Sequence, residues 1–233
     1  MREVLGHVDG AAAVLFDVDG TMYRNGPVRR TMLLRLARAH TLKPASGVRT
    51  MKALSAYRKA QETLRGSGFT GDVAFAQLDM AADRSGVDRA VVAAAVERWM
   101  EISPLDVVAA SARPGLVEVL DELRRSGVRL GALSDYPAAG KLAALGIADY
   151  FDIVLTAQDP RVHAFKPDPK GLLVALDELG VAPADALYVG DRDEVDGAAA
   201  RAAGMRYVIV GGSSGEGHAS RRGPPAPQRA EAT

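Results

Sequence analysis

Cysteine is absent from this chain of 233 residues, which excludes a disulfide framework and any metal site built on thiolates. Net charge is absent as well, because 29 Lys and Arg residues balance 29 Asp and Glu residues. A chain without net charge creates no overall field that would attract nucleic acid or an anionic membrane. We therefore expect neither nucleic acid nor a membrane among its partners.

Long apolar stretches are also missing, since a membrane-spanning helix needs about 20 consecutive apolar residues. The N-terminus, MREVLGHVDG, lacks the basic start and the apolar stretch of a secretory signal. Together with the missing cysteines, which fit a reducing compartment, these absences predict a cytoplasmic protein. Hydrophobic residues still make up 48% of the chain, a share that favours a globular fold over disorder.

Strand and helix patterns alternate over much of the sequence. Short apolar runs bounded by glycine or polar residues predict buried strands. These runs cover residues 12–16, 128–133, 153–155, 186–189 and 207–210. Helical segments lie between the later runs, and several of them end at glycine, which is typical of a helix C-cap. The alternation predicts an α/β fold with a Rossmann-like parallel sheet and helices on both of its faces.

A helical insertion separates the first two predicted strands. The first strand ends near Asp19 and the next begins near Val128. Because a βαβ unit takes only about 30 residues, roughly 80 residues are surplus, and their pattern is mostly helical. An apolar face of the first helix in this insertion is predicted at Leu33, Leu34, Leu36 and Ala37.

The predicted domain organisation follows from this insertion. Residues 1–23 and residues 111–211 are expected to form the two parts of a core, and residues 24–110 a helical cap. Residues 212–233 are rich in Gly, Ser, Pro and Ala and have almost no bulky apolar side chain. Such a composition cannot bury a core, so we predict a disordered tail.

Acidic residues cluster where the predicted strands end, and ligands of open parallel sheets bind beyond these carboxyl ends. Asp17 and Asp19 follow the first strand, and their spacing of two points both side chains the same way on an extended chain. Asp191 and Asp196 follow the fourth strand. Carboxylates suit a hard cation such as Mg²⁺, and without a cation they would raise each other's pKa. A plain turn is the alternative, since Asp-Gly is a common turn dipeptide.

Two further residues suit a phosphate group. Ser134 ends the second strand, next to Asp135, and its hydroxyl and the following backbone N–H groups suit an anion. Lys166 precedes a proline in FKPDP, which restricts its backbone to extended forms, and its ammonium group suits a phosphate oxygen. Each signal alone is weak, because a serine at a strand end is often only a helix cap and a lone lysine is often solvated.

Taken in order, these motifs resemble the four motifs of the haloacid dehalogenase (HAD) superfamily. They are DVDGT at Asp17, LGALSD at Ser134, FKPDP at Lys166 and GDRDEVD at Asp191. The resemblance covers about residues 12–210. The helical insertion is similar in position to the cap of subclass I members, which points to a capped phosphatase like the phosphoglycolate phosphatases.

The resemblance implies a Mg²⁺-dependent phosphatase. Asp17 would be the nucleophile that forms an aspartyl-phosphate, and Asp19 would be the general acid and base. Mg²⁺ would be held by the side chains of Asp17 and Asp191 and by the backbone carbonyl of Asp19. Asp196 would lie in the outer shell of the metal. The phosphoryl oxygens would be bound by Ser134, Asp135 and Lys166.

Asp19 also favours phosphate esters over carbon–halogen bonds, because dehalogenating members of the superfamily lack a carboxylate two residues after the nucleophile. The expected substrate is a small phosphorylated metabolite, such as a sugar phosphate, a phosphoglycolate-like compound or a pathway intermediate. A phosphomutase of the β-phosphoglucomutase type is one alternative, and a phospho-receiver-like binding module without turnover is another. The identity of the substrate stays open, as does the choice between monomer and homodimer.

Overall fold

The computed structural model describes residues 1–211, and the tail predicted at residues 212–233 lies outside them. Its strands are β1 (Ala13–Phe16), β2 (Arg129–Ser134), β3 (Ile153–Thr156), β4 (Ala186–Gly190) and β5 (Arg206–Ile209). They form one sheet in the order β3-β2-β1-β4-β5, and all neighbouring pairs are parallel. The chain leaves the central strand β1 toward one side for β2 and later returns to the other side for β4, which opens a crevice at the carboxyl end of β1.

The α-helices fall into two groups along the chain. Those of the insertion are α1 (Asn25–Ala39), α2 (Pro44–Leu64), α3 (Val73–Ser85), α4 (Arg89–Val96) and α5 (Leu105–Ala110). Those that follow are α6 (Leu116–Arg125), α7 (Ala139–Ala144), α8 (Lys170–Leu179) and α9 (Ala198–Ala203). A π-helical segment, Glu97–Ile102, extends α4, and another, Asp193–Gly197, precedes α9. Within residues 1–211, no helix combines the length and the apolar character that a membrane span requires.

Apolar cores cover both faces of the sheet. Along β1 the side chains alternate, so that Val14 and Phe16 belong to one core and Ala13 and Leu15 to the other. The first core includes the buried face of α6, and the second includes buried residues of α8 and α9. The predicted α/β fold, with a parallel sheet between two helical layers, is therefore confirmed.

The sequence of α6 explains why it packs on the sheet. Leu116, Val119, Leu120 and Leu123 recur at intervals of three and four residues and are all buried. Each such side chain contributes roughly 1.5–3 kcal/mol when it leaves water. The helix ends at Arg125 and is capped by Ser126, and the N–H of Val128 donates to the carbonyl of Leu123 (3.1 Å), which directs the chain into β2.

The inserted helices build a cap with its own apolar core, to which α2, α3 and α4 contribute. Its buried members are Ala53, Ala56, Tyr57, Ala81, Val87, Val92 and Val96. Helix α1 lies outside this core and buries Val28 and Leu36 elsewhere. The predicted apolar face is wrong for Leu33 and Leu34, which are 58% and 65% exposed, because only a narrow stripe of α1 is covered.

The two segments that join the core to the cap pair with each other. The N–H of Arg24 donates to the carbonyl of Ser111 (3.0 Å), and the N–H of Arg113 donates to the carbonyl of Met22 (2.9 Å). The chain therefore leaves and re-enters the core through two adjacent extended segments. The domain boundaries predicted at residues 24 and 110 stay a proposal.

Candidate active site

The carboxyl edge of the sheet collects the residues singled out in the sequence. Asp17 directly follows β1, Ser134 is the last residue of β2, and Asp191 directly follows β4. Lys166 and Asp196 reach the same place from the loop before α8 and from the π-helical segment before α9. The structure thus brings together five side chains from five separate places in the chain.

Asp17 lies at the centre of a buried network. Its carboxylate accepts hydrogen bonds from the Lys166 ammonium (2.6 Å) and the Thr21 hydroxyl (2.8 Å). The same ammonium donates to Asp196 (2.7 Å) and to the hydroxyl of Tyr188 (3.1 Å). Asp17, Lys166 and Asp196 are each at most 4% exposed, so their interactions take place away from water. Such a network holds the nucleophile candidate in one orientation.

The charges in this network are unbalanced. Burial and the nearby carboxylates of Asp196 and Asp19 raise the pKa of Asp17 to about 8, although Lys166 acts against them. Burial and repulsion from Asp196 likewise raise the pKa of Asp191 to about 6. Burial alone would lower the pKa of Lys166, but the surrounding carboxylates raise it. One lysine therefore does not neutralise the acidic groups around it.

Three carboxylates of this edge suit a cation. Asp17, Asp191 and Asp196 each offer an oxygen, and these oxygens lie within 4.8 Å of one another. Carboxylate oxygens are the ligands that hard divalent cations prefer. Burial and repulsion between carboxylates raise the pKa values of Asp17 and Asp191, so additional positive charge would be favourable here. The residues present therefore fit a divalent cation.

Asp19 turns away from this acidic group. Its carboxylate accepts two hydrogen bonds from the Lys141 ammonium (2.6 and 2.7 Å), one from the Ser134 hydroxyl (3.1 Å), and one from the Tyr23 hydroxyl. Burial would raise the pKa of Asp19, but the charge and hydrogen bonds of Lys141 outweigh it and lower that pKa. The ionised form of Asp19 is therefore favoured.

Lys141 is a residue that sequence reasoning missed. It lies in the short helix α7 and is 6% exposed, although lysine is almost never buried without a charged partner. The only signal in the sequence was its place in the helix that follows Ser134. Tyr23 and Tyr188 were also missed, because a tyrosine on or beside a strand reads as core.

Asp135 faces the cap. Its carboxylate accepts hydrogen bonds from Arg65 (2.9 Å) and Gln61 (3.2 Å) of the cap and from the N–H of Lys166 (3.2 Å). The Arg65 guanidinium also donates to the carbonyl oxygen of Lys166. A carboxylate repels phosphate, so a phosphate contact of Asp135 would have to come from its backbone. Its predicted phosphate-binding role stays a prediction.

Gly20 explains the glycine of the DVDGT motif. Its φ of +102° lies in the region that favours glycine, and a side chain here would collide with the Asp191 carboxylate. Arg113 donates to the carbonyl of Gly20 through Nη2 (2.6 Å), which holds the turn in place. The Asp-Gly dipeptide is therefore a turn that also leaves room for the Asp191 carboxylate.

The site opens into a cavity of about 830 Å³ between the core and the cap. Asp17, Asp19, Lys141 and Lys166 line its floor. Side chains of α1, α2, α5 and the segment after α4 line much of the remainder, together with core residues such as Tyr136 and Arg192. A ligand bound to the floor would therefore also contact the cap.

Residues 11–204 match the haloacid dehalogenase-like hydrolase family. The chain belongs to this family. A glyceraldehyde 3-phosphate phosphatase of Methanopyrus kandleri is 33% identical over 204 residues, which cover 85% of this chain and 83% of that protein. A phosphoglycolate phosphatase of Rhodospirillum rubrum is 31% identical over 201 residues, which cover 85% and 78%.

A solved structure of a HAD phosphatase from Thermococcus onnurineus has a similar fold, with a TM-score of 0.59 and 27% identity. The similarity covers 88% of this chain and 89% of that one. The expectation of a capped subclass I phosphatase is confirmed, and so is its class as a phosphoric monoester hydrolase. This class rules out the alternative of a receiver-like module without turnover.

Proposed function

We propose that this phosphatase depends on Mg²⁺ and hydrolyses a small phosphorylated metabolite through an aspartyl-phosphate on Asp17. The observation that carries the proposal is the buried Asp17 carboxylate, held by Lys166 (2.6 Å) next to Asp191 and Asp196 at the end of the central strand. Relatives that hydrolyse phosphate esters support the same reaction class.

In the first step, a carboxylate oxygen of Asp17 attacks phosphorus, and the bond between phosphorus and the alcohol oxygen breaks. Asp19 donates a proton to that leaving oxygen. The Lys166 ammonium, which contacts Asp17, and the Ser134 hydroxyl, which contacts Asp19, would bind phosphoryl oxygens, and the ammonium would offset their charge. The alcohol is then released, and the phosphoryl group stays on Asp17.

In the second step, Asp19 accepts a proton from a water molecule that attacks phosphorus, and the bond to Asp17 breaks. Lys141 suits Asp19 to this step, because it favours the ionised form that accepts a proton. A divalent cation held by Asp17 and Asp191 would supply positive charge that reduces repulsion between the nucleophile and the phosphoryl oxygens. Asp196 would help to hold Lys166 and the cation together.

Substitution of the nucleophile tests the proposal. We expect Asp17→Asn to reduce the turnover of p-nitrophenyl phosphate by at least about 10⁴-fold, because the amide cannot accept the phosphoryl group. The matched control is Asp9→Asn, an exposed position near the opposite end of β1. Chelation of divalent metal should abolish turnover and added Mg²⁺ should restore it. Full activity of Asp17→Asn, or of the chelated enzyme, would refute the proposal.

A further inference from the structure

The cavity above the active site has two chemically different ends. Its floor carries the paired carboxylates and lysines described above. The part of its wall that the cap contributes, called the apolar end below, is rich in apolar side chains and also carries Arg29, Arg58 and Lys59. The apolar side chains include Val28, Met32, Leu36, Leu54, Trp99 and Met100. The two ends belong to one continuous space, so a molecule bound at the floor extends toward the apolar end.

The apolar end exists because α1 does not pack into the core of the cap. That core is built by α2, α3 and α4, whereas α1 buries only Val28 and Leu36. A gap therefore remains between α1 and α2. At its mouth Leu33 and Met51 are 58% and 45% exposed while they line the cavity. Apolar surface of this kind gains free energy when a ligand covers it.

The size of the cavity exceeds what a two- or three-carbon phosphate needs. At about 830 Å³ it lies in the upper part of the range of roughly 300–1,000 Å³ found for sites that enclose drug-sized ligands. A phosphoglycolate-like molecule at the floor would leave the apolar end filled with water.

Charged side chains of both signs line the cavity, among them Arg29, Arg58, Lys59 and Glu101 of the cap. The cations nearest the floor are paired, Lys141 with Asp19, Lys166 with Asp17 and Asp196, and Arg65 with Asp135. An apolar leaving group is therefore favoured by the apolar side chains and the size of the cavity.

We infer that the preferred substrate is a phosphate monoester of an apolar alcohol, whose chain or ring lies between α1 and α2. The inference rests on the proposed function, because it places the phosphate at Asp17 and Lys166. Hydrolysis would then release inorganic phosphate and the apolar alcohol. It differs from the substrates after which the relatives are named, which are short and polar.

A series of n-alkyl phosphates from ethyl to octyl tests the inference with the full chain and Mg²⁺. We expect kcat/KM to rise about threefold per added methylene until the chain reaches the mouth, as burial of each group predicts. The rise from ethyl to octyl should be at least about 30-fold, and octyl phosphate should surpass phosphoglycolate. Turnover of ethyl phosphate and phosphoglycolate with no gain for octyl phosphate would overturn the inference while the proposed function stands.

Binding to the Asp17→Asn variant provides a readout that does not depend on turnover. Trp99 is the only tryptophan of the chain, and it lines the apolar end, so its fluorescence reports a ligand there. Octyl phosphate should change the emission at a concentration at least about 30-fold lower than ethyl phosphate. Equal affinities would overturn the inference. Length-dependent binding by a wild-type chain that releases no phosphate would refute the proposed function and support the apolar ligand class.

Double variants at the mouth of the cavity distinguish binding in this site from nonspecific hydrophobic binding. The double variant Leu33→Gln and Met51→Gln should reduce the octyl-to-ethyl ratio of kcat/KM by about fivefold or more. The matched control, Leu34→Gln and Val48→Gln, changes exposed residues of the same two helices that do not line the cavity, and should keep the ratio within about twofold. Equal effects of the two double variants would overturn the inference. Melting temperatures verify that both fold.

Discussion

At the sheet edge Asp17 and Asp19 are each held by a buried lysine, whereas the cap wall of the same cavity is mainly apolar and partly open to solvent. The side chains of the polar edge can adopt few arrangements, because each buried charge needs a partner at hydrogen-bonding distance. The apolar wall requires only that its surface be covered. We therefore assign the proposed chemistry to the edge, where the geometry is strict, and the proposed choice of leaving group to the wall, where the geometry is tolerant.

Removal of Lys166 should break the polar edge most severely. We expect Lys166→Met to reduce kcat at least about 10²–10³-fold, because a donor for the phosphoryl oxygens is lost. Without metal it should also lower the free energy of unfolding by about 3–5 kcal/mol, since Asp17 and Asp196 lose their buried counter-charge. Urea unfolding of the variant and the wild type, with and without Mg²⁺, measures this loss of free energy of unfolding.

As a control for Lys166→Met, Tyr188→Phe leaves the charge in place. It removes the hydrogen bond that the ammonium donates to the Tyr188 hydroxyl (3.1 Å) and the one that this hydroxyl donates to Asp196 (3.3 Å). Its effect should be much smaller, about 1 kcal/mol. If both variants lose the same stability, the buried charge is not what holds the edge together.

Lys141 gives a second test of the polar edge, with a smaller effect. Lys141→Met should reduce kcat about 10–100-fold and, when hydrolysis of the aspartyl-phosphate limits the rate, move the acid limb of the rate profile to higher pH. The reason is that Lys141 lowers the pKa of Asp19, so without it the ionised form appears only at higher pH. Lys170→Met, an exposed lysine of α8, is the control and should change neither quantity. A pH profile that does not move would contradict the role assigned to Lys141.

Arg65 joins the two regions, because this cap residue binds Asp135 (2.9 Å) and the carbonyl of Lys166. Arg65→Ala should raise KM about tenfold with a smaller change in kcat, since the cap would no longer be held over the floor. Arg49→Ala, which changes an exposed arginine of α2, the helix that Arg65 follows, should leave KM within about twofold. A loss confined to kcat would show that Arg65 acts on the chemistry instead of on the cap.

The smallest effect is expected at the outer end of α1, where Arg35 donates to Asp106 (2.8 Å). Hydrogen bonds from Arg35 lower the pKa of Asp106 to about 2. A lowered pKa in the folded state stabilises the fold at pH values above the pKa of the unfolded chain, which is near 4. This stabilisation is lost as the pH falls from about 4 to 2. Asp106→Asn should therefore lower Tm by only about 1–2 °C at pH 7, as this exposed pair is screened by solvent. The difference in Tm between the variant and the wild type should shrink toward pH 2. A difference that stays constant with pH would contradict this role of the pair.

The local pattern of the sequence was enough for the sheet and for the position of most of the candidate site. Short apolar runs predicted the five strands, and the arithmetic of chain length predicted the helical insertion. Asp17, Ser134 and Asp191 could be placed together because parallel strands present their carboxyl ends at one edge. Those inferences need only residue order, since the direction of a strand determines where the next residue lies.

Contacts between distant segments lay beyond such reasoning. Lys141 meets Asp19 across 122 residues, and Arg65 meets Asp135 across 70. The local sequence around a lysine or an arginine does not show whether its side chain is buried and paired or exposed to solvent. Helix α1 makes the same point, because its apolar residues predicted a covered face and the structure leaves Leu33 and Leu34 exposed.

The sequence by itself therefore determined the family, the order of the elements and the residues that end the central strands. Only the tertiary structure decided which charges are paired, which helix stays outside the cap core, and that one cavity joins an acidic floor to an apolar wall. The physical reason is that burial and pairing depend on every segment that surrounds a side chain. Strand polarity, in contrast, is set by the chain's own direction.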